Sequence, residues 1–223
     1  MKYDPEIYHR KSIRLRGYDY SQAGAYFVTI CTKSKEYLFG DVVEGGMRLN
    51  EVGKMVQMIW DELPKYYQGV AINAFQIMPN HVHGIIILKH QIFSVGAGPR
   101  ACPKNAAGPR ACPSTGQPQG VAPTISTISL SDVVHRFKSL TTTRYRQVVK
   151  NYGLPLFHGQ FWQRNYYEHI IRNDVELNRI REYIQNNPFK WHLDRENPQR
   201  TGNDSFEVEI FGNRKNRLVN EMS

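Results

Sequence analysis

Two apolar segments joined by a single Pro-Asn pair constrain the fold of this chain more than any other feature. Residues 70–78 (VAINAFQIM) and 81–88 (HVHGIIIL) each have the length and the β-branched composition of a strand. Pro79-Asn80 is a turn pair, and it is too short for the crossover that parallel strands need. The sequence therefore predicts an antiparallel hairpin whose second strand is apolar enough to lie in the middle of a sheet.

The remaining segments alternate between strand and helix patterns. Residues 25–32 (AYFVTICT) predict another strand, and Gly45-Gly46 marks a weaker hairpin signal. Helices with one apolar stripe are predicted at residues 51–63, 131–150 and 173–186, with Asn50, Ser131 and Asn173 as their N-caps. Pro64 is expected to end the first helix, and short strands are expected within 156–171. The order favours an α+β fold, an antiparallel sheet with helices packed on one face.

The length of 223 residues fits one domain with appendages. We expect a basic N-terminal segment at 1–24, a folded domain at 25–193 and a polar, loosely held C-terminal tail at 194–223. Residues 91–129 are rich in Gly, Pro, Ala, Ser and Thr and contain AGPRACP twice, which predicts a flexible inserted loop. Cys102 and Cys112 in this repeat could bind a metal. Neither has a CxxC or histidine partner nearby, so duplication of a short segment explains them better.

Composition and charge exclude several classes of protein. The longest apolar run, Ile85–Leu88, is far shorter than the roughly 20 residues of a membrane helix. The N-terminus has no apolar signal core and three cysteines cannot form a disulfide framework, so we expect a cytoplasmic protein without a membrane partner. The 29 Lys and Arg against 20 Asp and Glu give a net charge of +9. This charge favours a polyanionic partner such as nucleic acid, although a merely basic surface would also account for it.

His81 and His83 are a candidate metal site. They lie two residues apart on the predicted strand, so both side chains point to the same face of the sheet. Two imidazoles on one face can bind one divalent cation. Two half-buried histidines on a sheet surface would give the same pattern, and two ligands are too few to close a metal site.

Tyr183 and Asn187 lie four residues apart on the last predicted helix, so they share a face beside its apolar stripe. The amide oxygen of Asn187 is a hard ligand suited to Mg²⁺ or Mn²⁺. A tyrosine at the rim of the core and an asparagine that ends a helix before Pro188 would account for the same residues. If Asn187 joined the two histidines on one cation, the phenol of Tyr183 would be placed to attack a phosphate.

Four segments together resemble a known family. MPNHVHGIIIL resembles the histidine–hydrophobic–histidine (HUH) motif of the single-tyrosine transposases. FWQRNYYEHIIRNDVELNRIREYIQNNPFKW resembles the C-terminal segment of REP-associated tyrosine transposases and related insertion-sequence transposases. KSIRLRGYDYSQAGAYFVTICT and HRFKS match the same group. The likeness covers residues from about Lys11 to His192, interrupted by the 91–129 loop.

The resemblance implies a ferredoxin-like α+β fold of the HUH endonuclease type. It implies that His81 and His83 bind the metal (Mg²⁺ or Mn²⁺), that Asn187 is the third ligand, and that Tyr183 is the nucleophile. The implied reaction cleaves and rejoins single-stranded DNA through a 5′-phosphotyrosine and a free 3′-OH. Members of the family recognise hairpin DNA at element ends or in repeats. Because relatives can be monomers or homodimers, Tyr183 could complete the site of its own chain or that of a partner.

DNA contacts are expected from basic and aromatic side chains near the site. The candidates are Arg14, Arg16, Arg136, Lys138, Arg144, Trp162 and Arg164. The cations would bind phosphates, and Trp162 with Tyr166 and Tyr167 would stack on unpaired bases. Each of these side chains could instead be a solvated charge or a core aromatic. Tyr166 and Tyr167 also compete with Tyr183 as the nucleophile, but neither has an amide side chain four residues later.

Three other functions fit parts of the pattern. A domesticated protein that binds hairpin DNA without transposition would share every candidate residue. A rolling-circle initiator or relaxase uses related HUH chemistry, but it usually carries a third histidine or acidic ligand and often two neighbouring tyrosines on a helix, where this helix has one. An unrelated RNA-binding sheet protein would show no dependence on metal.

Overall fold

The computed structural model describes residues 15, 17–89, 128–152 and 159–212. Arg14, Arg16 and the predicted loop before Ile128, with both AGPRACP copies, lie outside the described residues. The strands are β1 Gly24–Cys31, β2 Gly40–Val43, β3 Gly46–Leu49, β4 Val70–Met78, β5 His81–Leu88 and β6 Tyr167–Ile171. The α-helices are α1 Glu51–Tyr66, α2 Leu130–Tyr152, α3 Asp174–Asn186 and α4 Ser205–Gly212. Short 3-10 helices lie at Lys33–Lys35 and Trp191–Leu193.

In the part of the chain that the structure describes, four strands form an antiparallel sheet in the order β4-β5-β1-β6. The predicted hairpin of β4 and β5 is confirmed, and β5 lies between β4 and β1 as its apolar composition indicated. β2 and β3 pair separately as the weaker hairpin. The ferredoxin-like α+β fold is therefore confirmed.

Helices α1 and α2 cover one face of the sheet. Their buried side chains, among them Trp60 and Phe137, form one hydrophobic core with Tyr26, Val28 and Ile30 of β1. The period of two along a strand puts these three residues of β1 on the same face. Helices α1 and α2 therefore pack on one face of the sheet, as predicted.

Helix α3 packs on the opposite face. Its buried residues Ile180 and Ile184 form a second core with Phe27 of β1 and Ile85 of β5. Strands β1 and β5 are apolar at consecutive positions, so both faces of the sheet need cover. The one-face expectation is therefore corrected for α3, and this helix carries Tyr183 on the face that His83 shares.

The helix ends follow the local sequence with two differences. The side chains of Asn50 and Asn173 accept backbone N–H bonds at the starts of α1 and α3, as predicted. Helix α1 continues past Pro64 to Tyr66, since a proline in the last turn removes only one helical hydrogen bond. Helix α2 begins before the predicted cap, because the hydroxyl of Ser129 accepts from the backbone N–H of Asp132. In the described residues no helix has the length and apolarity of a membrane span.

The first part of the predicted tail is ordered and buried, contrary to the expectation of a loose segment. Asp194, Asn197, Asp204 and Glu207 are all nearly inaccessible to solvent. Asp194 accepts a hydrogen bond from the backbone N–H of Glu196 at 2.6 Å, and Asp204 accepts one from the N–H of Phe206 at 2.8 Å. Polar side chains thus accept hydrogen bonds from the backbone N–H groups of this segment. Its order could not be predicted from a hydrophobic pattern, because it has none.

Candidate active site

His81 and His83 converge on the face of the sheet that α3 covers. Both side chains are fully buried, and their Nε2 atoms are 2.9 Å apart. His83 pairs across the sheet with Thr29 of β1 and Gln76 of β4, so its backbone is fixed on both sides. The spacing of two residues therefore produces the pair of imidazoles that the sequence predicted.

The outer nitrogen of each imidazole has its own partner. Nδ1 of His81 lies 2.8 Å from Oδ1 of Asn80, and Nδ1 of His83 lies 2.9 Å from Oγ1 of Thr29. Such partners fix the ring orientation of histidines that bind metals. Burial lowers the pKa of His81 to about 4, against the opposing charge of Asp194. A neutral imidazole has a free lone pair at neutral pH, which a metal ligand requires.

Asp194 completes a cluster of three candidate metal ligands, two imidazoles and one carboxylate. Its Oδ2 atom lies 3.5 Å from Nε2 of His81 and 3.7 Å from Nε2 of His83. Burial alone would raise the pKa of Asp194, but the two imidazoles and a backbone hydrogen bond hold it well below its usual range. Oδ2 is buried, and no described residue gives it a hydrogen bond of good geometry. Two imidazoles and an ionised carboxylate with one unsatisfied oxygen fit a divalent cation.

Tyr183 of α3 reaches this cluster within its own chain. Its Oη atom lies 3.4 Å from Nε2 of His83 and donates a hydrogen bond of 2.8 Å to Oε1 of Glu207. The ring packs against Phe27 and Phe206. Burial, joined by the charges of Asp194 and Glu207, raises the pKa of Tyr183 well above its ordinary value. The predicted meeting of the phenol and the two histidines is therefore present.

Glu207 holds Tyr183 from the side of α4. Its carboxylate also accepts the backbone N–H of Arg195 at 3.1 Å. Burial and the negative charge of Asp194 raise the pKa of Glu207. Two ion pairs attach α4 and the residue before it to the rest of the chain: Arg179–Glu209 at 2.6 Å is exposed, and Lys190–Asp204 at 2.8 Å has a buried carboxylate.

Asn187 directly follows α3 and is 2% exposed. Its Oδ1 atom is buried, and no described residue donates a hydrogen bond to it. A buried polar atom without a partner costs free energy, so a ligand for Asn187 would remove this cost. Its role as the third ligand stays a prediction, with Asp194 as a further candidate that the sequence did not single out. Asp194 and Glu207 carry no spacing signal, since each is one acid in a polar segment.

One predicted DNA contact is corrected, and a second has hydrogen bonds within the chain. Trp162 is 5% exposed, and its Nε1 donates to the hydroxyl of Thr141 at 2.7 Å, so the ring belongs to the core rather than to a base-stacking surface. The ammonium group of Lys138 donates to the carbonyl oxygens of Gln163, Arg164 and Asn165 at 2.9 to 3.3 Å. Burial lowers the pKa of Lys138 to about 8. Lys138 therefore organises the 163–165 segment, and because it is partly exposed its contact with DNA stays a prediction.

The other predicted contacts that the structure describes are exposed. Arg136, Arg144 and Arg164 all have accessible side chains, and the guanidinium group of Arg136 lies 5.4 Å from the ring centre of Tyr66. Tyr166 is 7% exposed and lies in the core on the side of α1 and α2, whereas Tyr167 is half-buried on the side of α3. The arginines remain candidates for phosphate binding. The burial of Tyr166 argues against its stacking on a base, and the partly exposed Tyr167 stays a candidate.

Comparisons with known proteins match one of the sequence segments that carry the site. The family described as IS200-like transposase matches residues 123–187, which include Tyr183 and Asn187. An uncharacterised protein of Haemophilus influenzae is 40% identical over 194 residues, which are 86% of this chain and 96% of that protein. A solved structure of a REP-associated tyrosine transposase bound to a REP hairpin is similar with a TM-score of 0.46 and 19% identity, over 80% of this chain and 73% of that one.

The histidine pair on β5 and the tyrosine on α3 are the features by which the sequence resembled the single-tyrosine transposases. The structure brings them together, and the matched family spans the tyrosine helix. The chain belongs to the IS200-like transposase family of DNA-processing enzymes.

Proposed function

We propose that the protein is a single-strand DNA transposase in which Tyr183 is the nucleophile. The Oη atom attacks a backbone phosphorus, the bond from phosphorus to the 3′-oxygen breaks, and the phosphate stays on Tyr183 as a 5′-phosphotyrosine. The phenol loses its proton and the leaving 3′-oxygen gains one. Attack by another 3′-OH on the same phosphorus releases Tyr183 and rejoins the strand. The ester conserves the energy of the broken bond, so no nucleotide cofactor is needed.

One observation carries this proposal: the 3.4 Å between Oη of Tyr183 and Nε2 of His83. The same Nε2 lies 2.9 Å from Nε2 of His81 and 3.7 Å from Oδ2 of Asp194. A nucleophile beside a set of metal-ligand atoms is an arrangement that suits metal-assisted phosphoryl transfer to tyrosine. Because these groups meet within one chain, the proposed reaction does not depend on a second protomer.

A divalent cation, Mg²⁺ or Mn²⁺, would be held by His81 and His83, with oxygens of Asp194 and Asn187 as the further ligands. When bound, it would act as a Lewis acid on the phosphate. Asn80 and Thr29 would keep the two imidazoles oriented, as they do in the structure. The neutral state of His81 leaves its lone pair available at neutral pH.

Access to the nucleophile requires a local rearrangement. Tyr183 is 5% exposed and its hydroxyl is bonded to Glu207. A phosphate can reach Oη only after Glu207 has left this position. Helix α4 is held by the exposed ion pair Arg179–Glu209, which is worth little, and by the buried contacts of Phe206 and Glu207 with Tyr183. Its displacement would break these few contacts and leave the sheet and α3 in place.

Hairpin DNA is the proposed substrate, bound through exposed arginines. Arg136 and Arg144 lie on α2, and Arg164 lies in the segment that Lys138 organises. The net charge of +9 supports association with a polyanion. Each arginine that binds a phosphate should lower the slope of affinity against salt by about 1 when it is removed.

The test is incubation of the purified protein with single-stranded oligonucleotides from the flanks of its own gene, with Mn²⁺ or Mg²⁺. An oligonucleotide labelled at its 3′ end should migrate with the protein on a denaturing gel. The same oligonucleotide labelled at its 5′ end should yield a shorter free fragment with a 3′-OH. Label transfer from the 5′ end, or no adduct with any flank that contains a hairpin, would refute the proposal.

A further inference from the structure

An aromatic pair adjoins the histidine cluster on its solvent side. The ring of Trp191 lies 5.9 Å from the ring of His81 at an angle of 33°. The ring of Tyr37 lies 6.0 Å from Trp191 in an edge-on arrangement. Tyr37 is 44% exposed and Trp191 is partly exposed, so the sequence of rings runs from the buried His81 to the surface.

Asn197 fixes both members of the pair. It is 6% exposed, its Oδ1 accepts from the hydroxyl of Tyr37 at 3.2 Å, and its Nδ2 donates to the backbone carbonyl of Trp191 at 2.9 Å. One buried amide thus connects two segments that are far apart in sequence. The aromatic surface is therefore positioned in advance and is not an incidental exposure of single side chains.

Positive charge lies next to the pair. Lys35 and Arg195 both form ion pairs with the carboxylate of Glu196, at 3.3 and 3.2 Å. Lys35 is two residues from Tyr37 and Arg195 is four residues from Trp191, so both cations lie on the segments that carry the rings, where the buried Asp194 balances part of their charge. Alternating base-stacking rings and cations are the features with which proteins bind single-stranded nucleic acid.

We propose that Tyr37 and Trp191 form a stacking site for an unpaired base of single-stranded DNA next to the phosphate that Tyr183 attacks. This proposal rests on the proposed function, because it takes single-stranded DNA as the substrate. Lys35 and Arg195 would face the phosphate of the stacked nucleotide, and Asn197 is a positioning residue that acts through the two rings. The site replaces Trp162, whose burial excludes it from this role.

The experiment uses the full-length Tyr183→Phe protein, which cannot form the proposed adduct, and two probes of about 12 units, a length within the usual range of such sites. One probe is oligothymidylate. The other is an abasic deoxyribose-phosphate oligomer with the same charge and no bases. Trp60 and Trp162 are buried, so quenching of tryptophan fluorescence reports mainly on Trp191.

We expect oligothymidylate to quench the fluorescence and the abasic oligomer to quench it much less. Trp191→Ala should lower the affinity for oligothymidylate about 5- to 150-fold, as measured by anisotropy of a labelled probe, and leave that for the abasic oligomer unchanged. Tyr37→Ala provides a second variant should Trp191→Ala fail to fold. Tyr37→Phe keeps the ring and loses the hydroxyl bond to Asn197, so its affinity should fall less.

Tyr66→Ala is the matched control. Tyr66 is 43% exposed, and it ends α1 on the other face of the sheet, so its removal should not change the preference for bases. The stacking site is overturned if the protein with Tyr37 and Trp191 intact binds both probes with equal affinity. It is also overturned if Tyr37→Ala and Trp191→Ala lower the affinity for both probes equally. If this base-dependent affinity is found but the wild-type protein forms no adduct with any flanking oligonucleotide, the stacking site stands and the proposed reaction is overturned instead.

Discussion

The hydroxyl of Tyr183 donates a hydrogen bond of 2.8 Å to the carboxylate of Glu207, across the contact between α3 and α4. Both groups are nearly inaccessible to solvent. Burial, with the negative charges of Asp194 and Glu207, raises the pKa of Tyr183, so the phenol in this arrangement keeps its proton. The proposed nucleophile therefore lies beside the candidate ligand atoms, and its hydroxyl is bonded to a different partner.

Replacement of Tyr183 by Phe should abolish the covalent DNA adduct and leave DNA binding intact. The variant removes the attacking oxygen and one donor to the buried Glu207, which should lower the free energy of unfolding by about 1–3 kcal/mol. Denaturing gels measure the adduct, and urea unfolding measures the stability. Tyr167→Phe is the control, because Tyr167 lies on β6, and it should form the adduct at the wild-type level. An adduct in Tyr183→Phe would show that another side chain attacks.

Glu207→Ala should destabilise the protein more than Glu207→Gln. The alanine leaves the hydroxyl of Tyr183 and the backbone N–H of Arg195 without their acceptor, at a cost of about 1–3 kcal/mol. The glutamine keeps an acceptor oxygen and removes a negative charge that faces Asp194. Urea unfolding at neutral pH compares the two. Equal stability of the two variants would mean that the hydrogen bonds accepted by residue 207 do not stabilise the protein.

The meeting of the two histidines with Tyr183 could be predicted because each of these positions depends on local periodicity. His81 and His83 share a face through the strand period of two, and Tyr183 is fixed by a helix whose cap at Asn173 is readable in the sequence. The apolar run of β5 also indicated its central place. Such local patterns are reliable because the period of a strand or helix decides which side chains share a buried face.

Asp194 could not be predicted, because its place depends on a chain path without periodicity. It follows the 3-10 helix Trp191–Leu193 and reaches the histidines only through tertiary packing. The burial of Trp162 was missed for a different reason: an aromatic residue among cations fits a DNA-binding surface as well as a core. Its bridge to Thr32 at the end of β1, which extends the sheet, puts the ring in the core.

Mn²⁺ should stabilise the protein against heat, and the stabilisation should disappear in His83→Ala. A ligand that binds only the folded state raises its stability by RT ln(1 + [L]/Kd), which is about 2.7 kcal/mol at a hundredfold excess over Kd. Calorimetric scans with and without Mn²⁺, followed by excess chelator, measure the effect. His192→Ala is the control, because His192 is exposed and should leave the Mn²⁺ effect unchanged. An equal Mn²⁺ effect in His83→Ala would place the cation elsewhere.

The two candidate oxygen ligands can be separated by the same measurement. Asp194→Asn keeps the shape and removes the charge, and Asn187→Ala removes the buried, unpartnered Oδ1. The variant that loses most of the Mn²⁺-induced shift identifies the stronger ligand. We expect a loss in both, since each oxygen is buried without a good hydrogen bond among the described residues. If neither variant weakens the shift, the two histidines bind the cation without either oxygen.

The stability that Lys138 contributes should rise with pH between about 8 and 10.5. Burial lowers the pKa of this ammonium from 10.5 to about 8 in the folded protein. In that window the unfolded chain binds the proton and the folded protein does not, so the folded state gains as pH rises. Lys138→Met removes the group. The unfolding free energy of the wild type relative to this variant should increase by up to about 3 kcal/mol across the window. A constant difference would contradict a buried ammonium.

Gly84→Ala should destabilise the protein by about 1–3 kcal/mol, because overpacking a filled core shifts its neighbours. A Cβ atom at Gly84 would overlap the ring of Trp60, which stacks on Phe75 at 4.2 Å. Gly84 adjoins His83 on β5, so the shift of the strand should also reduce the thermal stabilisation by Mn²⁺. Gly24→Ala is the matched control, since the nearest atom to its Cβ would lie 3.7 Å away. Urea unfolding compares the two, and equal stability would mean that the ring of Trp60 moves aside without cost.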